Sequence, residues 1–202
     1  MLFVHCSSDQ ILLCDDSQHI VIPFEDIERT FPVALYAIFD PSVHTDILVI
    51  NGPGSFTQLR VATVSLNLLN QIQHNTLTFI DIPKIGIYKN LAKKSKLPRR
   101  GVVFMGQRKN MRLVDCLWDE PDYQMVDSAT VLEILWERDY FVDRVDHPVV
   151  EMLDRSRQIS AYGIHQQRPY MVYAWEEIDI DTTDADRTSI FSPRYMMDPQ
   201  IG

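Results

Sequence analysis

The chain has 202 residues, 46% of them apolar and 23% charged, enough to bury a substantial core and so to exclude a disordered chain. Its formal net charge of −9 argues against nucleic acid as the main partner. A membrane span is excluded as well, because the longest charge-free stretch, Val61–Ile80, is interrupted by Asn67, Asn70, Gln71, Gln73, His74 and Asn75. In chain order, Leu2–Ser7 and Ile11–Asp16 are short apolar runs separated by Ser8-Asp9-Gln10, which predicts a hairpin, and His19–Pro23 adds a third strand. Phe24, Ile27, Phe31, Leu35 and Ile38 then recur at helical spacing, predicting a helix that Pro32 either kinks or begins. Asp46–Asn51 reads as a buried strand, broken by Gly52-Pro53-Gly54-Ser55 into a helix running to about His74. Thr76–Ile82 predicts a strand and Pro83–Lys96 a helix with Pro83 in its first turn. Gly101–Met105 and Met111–Trp118 read as a hairpin around Lys109-Asn110. A helix over Ser128–Arg138 follows, then a weaker pattern: a helix near Val149–Ile159, a strand near Tyr170–Trp175, and an acidic tail.

Three antiparallel strands followed by alternating helices and strands predict an α/β fold with a mixed sheet. The order is that of a ribonuclease-H-like, or actin-like ATPase, half-domain, expected over residues 1–126. Residues 127–202 are expected to form a smaller divergent α+β region packed on it. Cys6, Cys14 and Cys116 are too few and too scattered for a disulfide framework or a zinc site. The opening MLFVHCSSDQ has no basic segment and no cleavage pattern, so a cytoplasmic, reduced location is expected.

The residues that carry chemistry elsewhere are thinly spread. Ten of the 19 basic residues lie between Asp81 and Asp115, a block without a single acid, so the acidic balance is uneven. Within it Lys93, Lys94, Lys96, Arg99 and Arg100 are candidates for contact with the phosphates of a polynucleotide, weighed against a solvated face that complements the acidic remainder. A two-metal nuclease site needs a carboxylate on the first strand. His5 stands there instead, while Glu25, Asp26 and Glu28 read more simply as the acidic first turn of a helix. His5 and Cys6 are adjacent and so point to opposite faces of a strand. The six histidines show no metal spacing, and no metal, cofactor or nucleophile–base pair is expected.

One motif narrows the field. Asn51-Gly-Pro-Gly-Ser-Phe-Thr-Gln-Leu-Arg60 follows a strand and opens a helix. Gly52 and Gly54 permit a tight turn, Pro53 stiffens it, Ser55 can cap the helix, and the free amides there suit an anion. It is not a Walker A loop, because no Lys-Ser/Thr pair follows the glycines. The segment resembles GPGSFTGLR, the signature of the TsaB (YeaZ) family, which takes part in making threonylcarbamoyladenosine in tRNA. Gly52, Pro53, Gly54, Ser55, Phe56, Thr57, Leu59 and Arg60 match, and Gln58 departs from it. Elsewhere the likeness is looser. Val4-His5-Cys6-Ser7 stands where the family has Asp-Thr-Ser, and Gly106–Met111 keeps only the arginine of the family's Asp-Ala-Arg. Pro193-Arg194-Tyr195-Met196-Met197 parallels Pro-x-Tyr-Leu-Arg without its final arginine. The resemblance spans residues 1 to about 126 and that C-terminal fragment.

The helix after the motif carries two apolar sectors, Leu59, Ala62, Leu66, Leu69 and Val61, Val64, Leu68, Ile72. A helix on one sheet needs a single stripe, so one sector is available for something else. The resemblance implies a helical interface with a second copy or with a TsaD-like catalytic subunit. It assigns Leu59, Ala62, Leu66 and Leu69 to that interface, with Leu35 and Phe39 from the preceding helix. The implied function is a non-catalytic scaffold in the tRNA-modification complex, with a TsaE-like ATPase as a further partner, tRNA met only within the complex, and no ATP bound by this chain. Two alternatives stand: an actin-like phosphoryl or acyl transferase binding nucleotide at Gly52–Ser55, or a homodimeric paralogue without a role in tRNA.

Overall fold

A computed structural model describes residues 1–6, 10–52, 55–93, 100–104, 111–115, 124–126, 129, 141–142, 160–161, 164–165, 168–169, 182–183 and 185–194. The chain divides into two units, Met1–Lys84 with Asp181–Gly202, and Ile85–Ile180. This division differs from the single boundary expected at residue 126. The chain leaves the first unit after one of its strands and returns to pair with that same strand.

In the first unit β1 (Leu2–His5), β2 (Ile11–Cys14) and β3 (His19–Ile22) form the expected antiparallel meander. After α1 (Ile27–Ile38), β4 (Asp46–Asn51) pairs parallel with β1, and after α2 (Phe56–Ile72), β5 (Thr78–Pro83) pairs parallel with β4. A late strand, β13 (Asp186–Thr188), closes the edge antiparallel to β5, giving the order β13-β5-β4-β1-β2-β3. The sheet is therefore mixed, as expected, but the acidic tail supplies a strand that the sequence reading missed. β1 and β4 are buried on both faces, which is why they read as continuous apolar runs rather than alternating ones.

One core lies between the sheet and the helix pair. Leu2, Val4, Cys6, Ile47, Val49 and Phe79 face Ile27, Phe31, Leu35 and Ile38 of α1 and Leu59, Ala62, Leu66 and Leu69 of α2. Pro32 neither starts nor ends α1. It sits inside the helix, where its missing N–H leaves the Glu28 carbonyl without its helical donor. Pro83 is likewise displaced from expectation: it ends β5 opposite Asn51, and the following helix begins at Lys84. α2 closes with His74 and Asn75 in the left-handed region, and the Asn75 N–H donates to the Asn70 carbonyl at 2.8 Å.

In the second unit, α3 (Lys84–Lys93) continues out of the first. β6 (Arg100–Phe104) and β7 (Met111–Asp115) form the expected antiparallel pair, joined by β8 (Gln124–Val126), β9 (Phe141–Val142) and β10 (Ser160–Ala161) in the order β10-β9-β6-β7-β8. β11 (Ile164–His165) and β12 (Arg168–Pro169) make a separate two-stranded ladder. The helices expected at 128–138 and 149–159, the strand at 170–175 and the turn at 109–110 lie outside the described residues, apart from residue 129.

Candidate functional site

The motif turn sits at the carboxyl ends of parallel strands, between β4 and α2, the place where open α/β sheets present their loops. Gly52 adopts φ +54°, a left-handed conformation, and its carbonyl accepts the Lys84 N–H at 2.8 Å. A Cβ at this position would stand 2.4 Å from the Arg194 carbonyl oxygen, so glycine is required twice over. Pro53 and Gly54 lie outside the described residues. Ser55 is the N-terminal cap by position, and its carbonyl accepts the Leu59 N–H at 3.0 Å, but its side chain makes no capping hydrogen bond. Phe56 and Arg60 face outward, Thr57 is half-buried, and Gln58 is fully buried. Among the described residues neither amide atom of Gln58 has a hydrogen-bond partner.

Beneath the turn Asn51 is a hub. Its Nδ2 donates to Asp81 Oδ2 at 3.2 Å and to the Ser192 carbonyl at 2.8 Å, while its Oδ1 accepts the Arg194 N–H at 3.0 Å. Asp81 also receives Arg194 Nε at 2.9 Å, and Arg194 Nη2 reaches Asp186. Burial pushes the Asp81 carboxyl above its ordinary value, against the pull of the Arg194 guanidinium. His5 is buried and held well below its ordinary value by that burial and by the charge of Lys84, so it remains a neutral imidazole. Burial, with the Asp81 charge beside it, pushes the Cys6 thiol up to about 12, which makes it unfit as a nucleophile. Among the described residues no three His, Cys, Asp or Glu side chains stand together as metal ligands.

The structure reverses the assignment of the two sectors of α2. Leu59, Ala62, Leu66 and Leu69, with Leu35 of α1, are buried in the protein's own core, and Phe39 is partly buried against it. They cannot form an exposed interface, because they are the stripe that seats the helices on the sheet. Most of the other sector remains outside: Val61 packs partly buried against the core, while Val64, Leu68 and Ile72, with Val33 and Tyr36 of α1, are exposed by 53% to 71%. Between the helices runs an apolar groove of about 670 Å³, with Pro32, Tyr36, Phe56, Val64 and Leu68 on its walls and Glu28 and Arg60 among its polar residues. Sequence projection found both sectors but could not tell which one the sheet would take. Lys93 is exposed at the end of α3, Arg100 begins β6, and Lys94, Lys96 and Arg99 lie outside the described residues. Among the described residues no helix is long and apolar enough to cross a membrane.

No protein-family model and no curated protein matches the chain. The solved structure of YeaZ from Pseudomonas aeruginosa is similar to it with a TM-score of 0.51 and 15% sequence identity, covering 96% of this chain and 98% of that one. A second solved structure, an uncharacterized protein with similarity to peptidase YEAZ from Pseudomonas aeruginosa, has a TM-score of 0.49 and 15% identity, covering 97% and 98%. The 32145 order of β3, β2, β1, β4 and β5, with α1 and α2 on one face and the similarity to YeaZ, gives this protein the ribonuclease-H-like, actin-like fold that YeaZ has.

Proposed function

We propose that this protein is a non-catalytic scaffold of a tRNA threonylcarbamoyladenosine-modifying complex, partner to a TsaD-like enzyme. The observation that carries the reading is the outer face of α1 and α2. Six large apolar side chains, Val33 and Tyr36 of α1 and Phe56, Val64, Leu68 and Ile72 of α2, are left exposed on two adjacent helices, flanking an apolar groove, and such a patch is the usual mark of a protein-binding surface. The match of eight residues to GPGSFTGLR supports the family, and α2 starts directly after the serine of that motif. In the assembled complex the basic residues Lys93, Lys94, Lys96, Arg99 and Arg100 supply tRNA phosphate contacts, and a TsaE-like ATPase joins through the enzyme.

The chemistry of the interior favours a scaffold over the nucleotide-transferase alternative. A neutral, buried His5 offers no hard oxygen to magnesium at the end of the first strand. The test is reconstitution with the purified TsaD-like enzyme of the same organism. Wild type is expected to co-elute with it, and Leu68→Asp or Val64→Asp to abolish co-elution while leaving the circular dichroism unchanged. Retention of the complex by both variants overturns the interface. A self-dimer in wild type that ignores the enzyme overturns the tRNA reading in favour of the homodimeric paralogue.

A further inference from the structure

Residues 185–194 are held to the first unit in the manner of a bound peptide. After β13 adds to the β5 edge, three asparagines read the main chain that follows. Asn70 Nδ2 donates to the Ser189 carbonyl at 2.7 Å. Asn67 bonds both sides of Phe191, donating to its carbonyl at 2.9 Å and accepting its N–H at 2.9 Å. Asn51 does the same further on, between the Ser192 carbonyl and the Arg194 N–H. Few side chains of the strap are engaged: Ile190 and Ser192 face outward, while Phe191 is fully buried with its ring 6.0 Å from Phe79. Arg194 ion-pairs Asp81 of β5. Main-chain bonds for affinity, one pocket and one charge for selectivity, on a sheet edge, are the parts of a β-augmentation site. They also account for the asparagines of α2, which the docking face does not use.

Every residue of this groove comes from the stretch before residue 85, whereas the strap arrives only after the chain has passed through the second unit. A long tether holds its occupant at a modest local concentration. We propose that the first unit is a recognition site for an extended Phe-x-x-Arg segment, and that its partner is the 186–194 strap of a second copy, exchanged with the strap of its own chain.

The probe is a fluorescein-labelled peptide of residues 183–194, read by anisotropy against full-length protein. Phe191→Ala, with its own strap loosened, is expected to bind the peptide at least tenfold more tightly than wild type, and Arg194→Ala at least threefold. A peptide carrying Phe191→Ala is expected to bind each at least tenfold more weakly. Arg194→Ala keeps the buried anchor and carries the comparison if Phe191→Ala does not fold. Folded variants that take up the peptide no better than wild type overturn the recognition site. For exchange between copies, differently tagged full-length chains are mixed in a Leu68→Asp background, which removes the helical face. Co-purification after mild warming is the expected result, and its absence overturns exchange.

Discussion

Gln58 combines complete burial with an amide that finds no hydrogen-bond partner at either end among the described residues, in the first turn of α2. Its spacing from Ser55 suits a capping box, in which it would reach back to the Ser55 N–H, yet it turns toward the core instead. An unpaired buried amide costs roughly 1–3 kcal/mol. Gln58→Met, similar in volume and apolar, is therefore expected to raise stability by about 1–2 kcal/mol in urea denaturation, by recovering part of that cost. Gly52→Ala is expected to do the reverse. Its Cβ meets the Arg194 carbonyl at 2.4 Å and its φ is +54°, so a loss of at least about 2 kcal/mol should appear in the same measurement.

At the same scale, two buried histidines set the response to acid. His44 Nδ1 accepts the Asp40 N–H at 3.0 Å, which requires a neutral ring. Burial lowers its affinity for a proton, the N-terminal ammonium adds to this, and Asp15, Asp40 and Asp16 oppose it. His5 is lowered further. A histidine with a depressed native pKa leaves stability untouched above its unfolded value. As pH falls below about 6.5 the unfolded chain takes up protons that the native chain refuses, and stability declines until the native pKa is passed. Asp15 and Asp40, both held below their ordinary value and each bonded to its own turn through Ser17 or Ser42, extend the decline as pH falls below about 4. Denaturation midpoints between pH 8 and pH 5 should therefore be flat and then fall, and His44→Asn should make the fall shallower.

At the scale of elements, Leu66 and Leu68 stand two residues apart on α2 with opposite fates, one fully buried and one 53% exposed. Leu66→Ala is expected to cost about 2–5 kcal/mol of stability. Leu68→Ala should stay within about 0.5 kcal/mol by the same measurement and act only on complex formation. This pair also marks how far the sequence could be read. Periodicity revealed that α2 had two apolar stripes, and strand order revealed the sheet beneath it. Which stripe met the sheet depends on the rotation of α2 about its axis. The contacts of Gly52 just before that helix, with the Lys84 N–H and beside the Arg194 carbonyl, span large sequence separations that local periodicity does not carry. Pro32 misled for a related reason: a lone proline signals a break, but packing of Phe31 and Leu35 on the core holds the helix through it.

At the scale of the molecule, the meander, the two parallel crossovers and the helix pair were all legible, because each buries an apolar face with its own period. β13 was not. Asp186-Arg187-Thr188 is a polar, largely exposed edge strand, with no alternation to betray it. It is specified by its partner, the β5 edge, and the chain just after it is held by Asn51 of β4 and by Asn67 and Asn70, which looked like the solvated face of a helix. Removing residues 181–202 should therefore damage the first unit far more than the loss of a polar tail would suggest. Emptying the Phe191 pocket alone is worth about 3–5 kcal/mol, so this truncation should aggregate or melt well below wild type in a thermal scan.

The late position of β13 has a consequence for synthesis. The β5 strand leaves the ribosome about a hundred residues before the strand that covers its edge, an interval of roughly 5–20 s at common elongation rates of about 5–20 residues/s. Throughout that time the nascent sheet offers an open edge with Phe79 beside it. The protein therefore needs either a chaperone that caps this edge during translation or slow pairing with strangers, and ribosome-bound chains stalled before residue 180 are the place to find that chaperone.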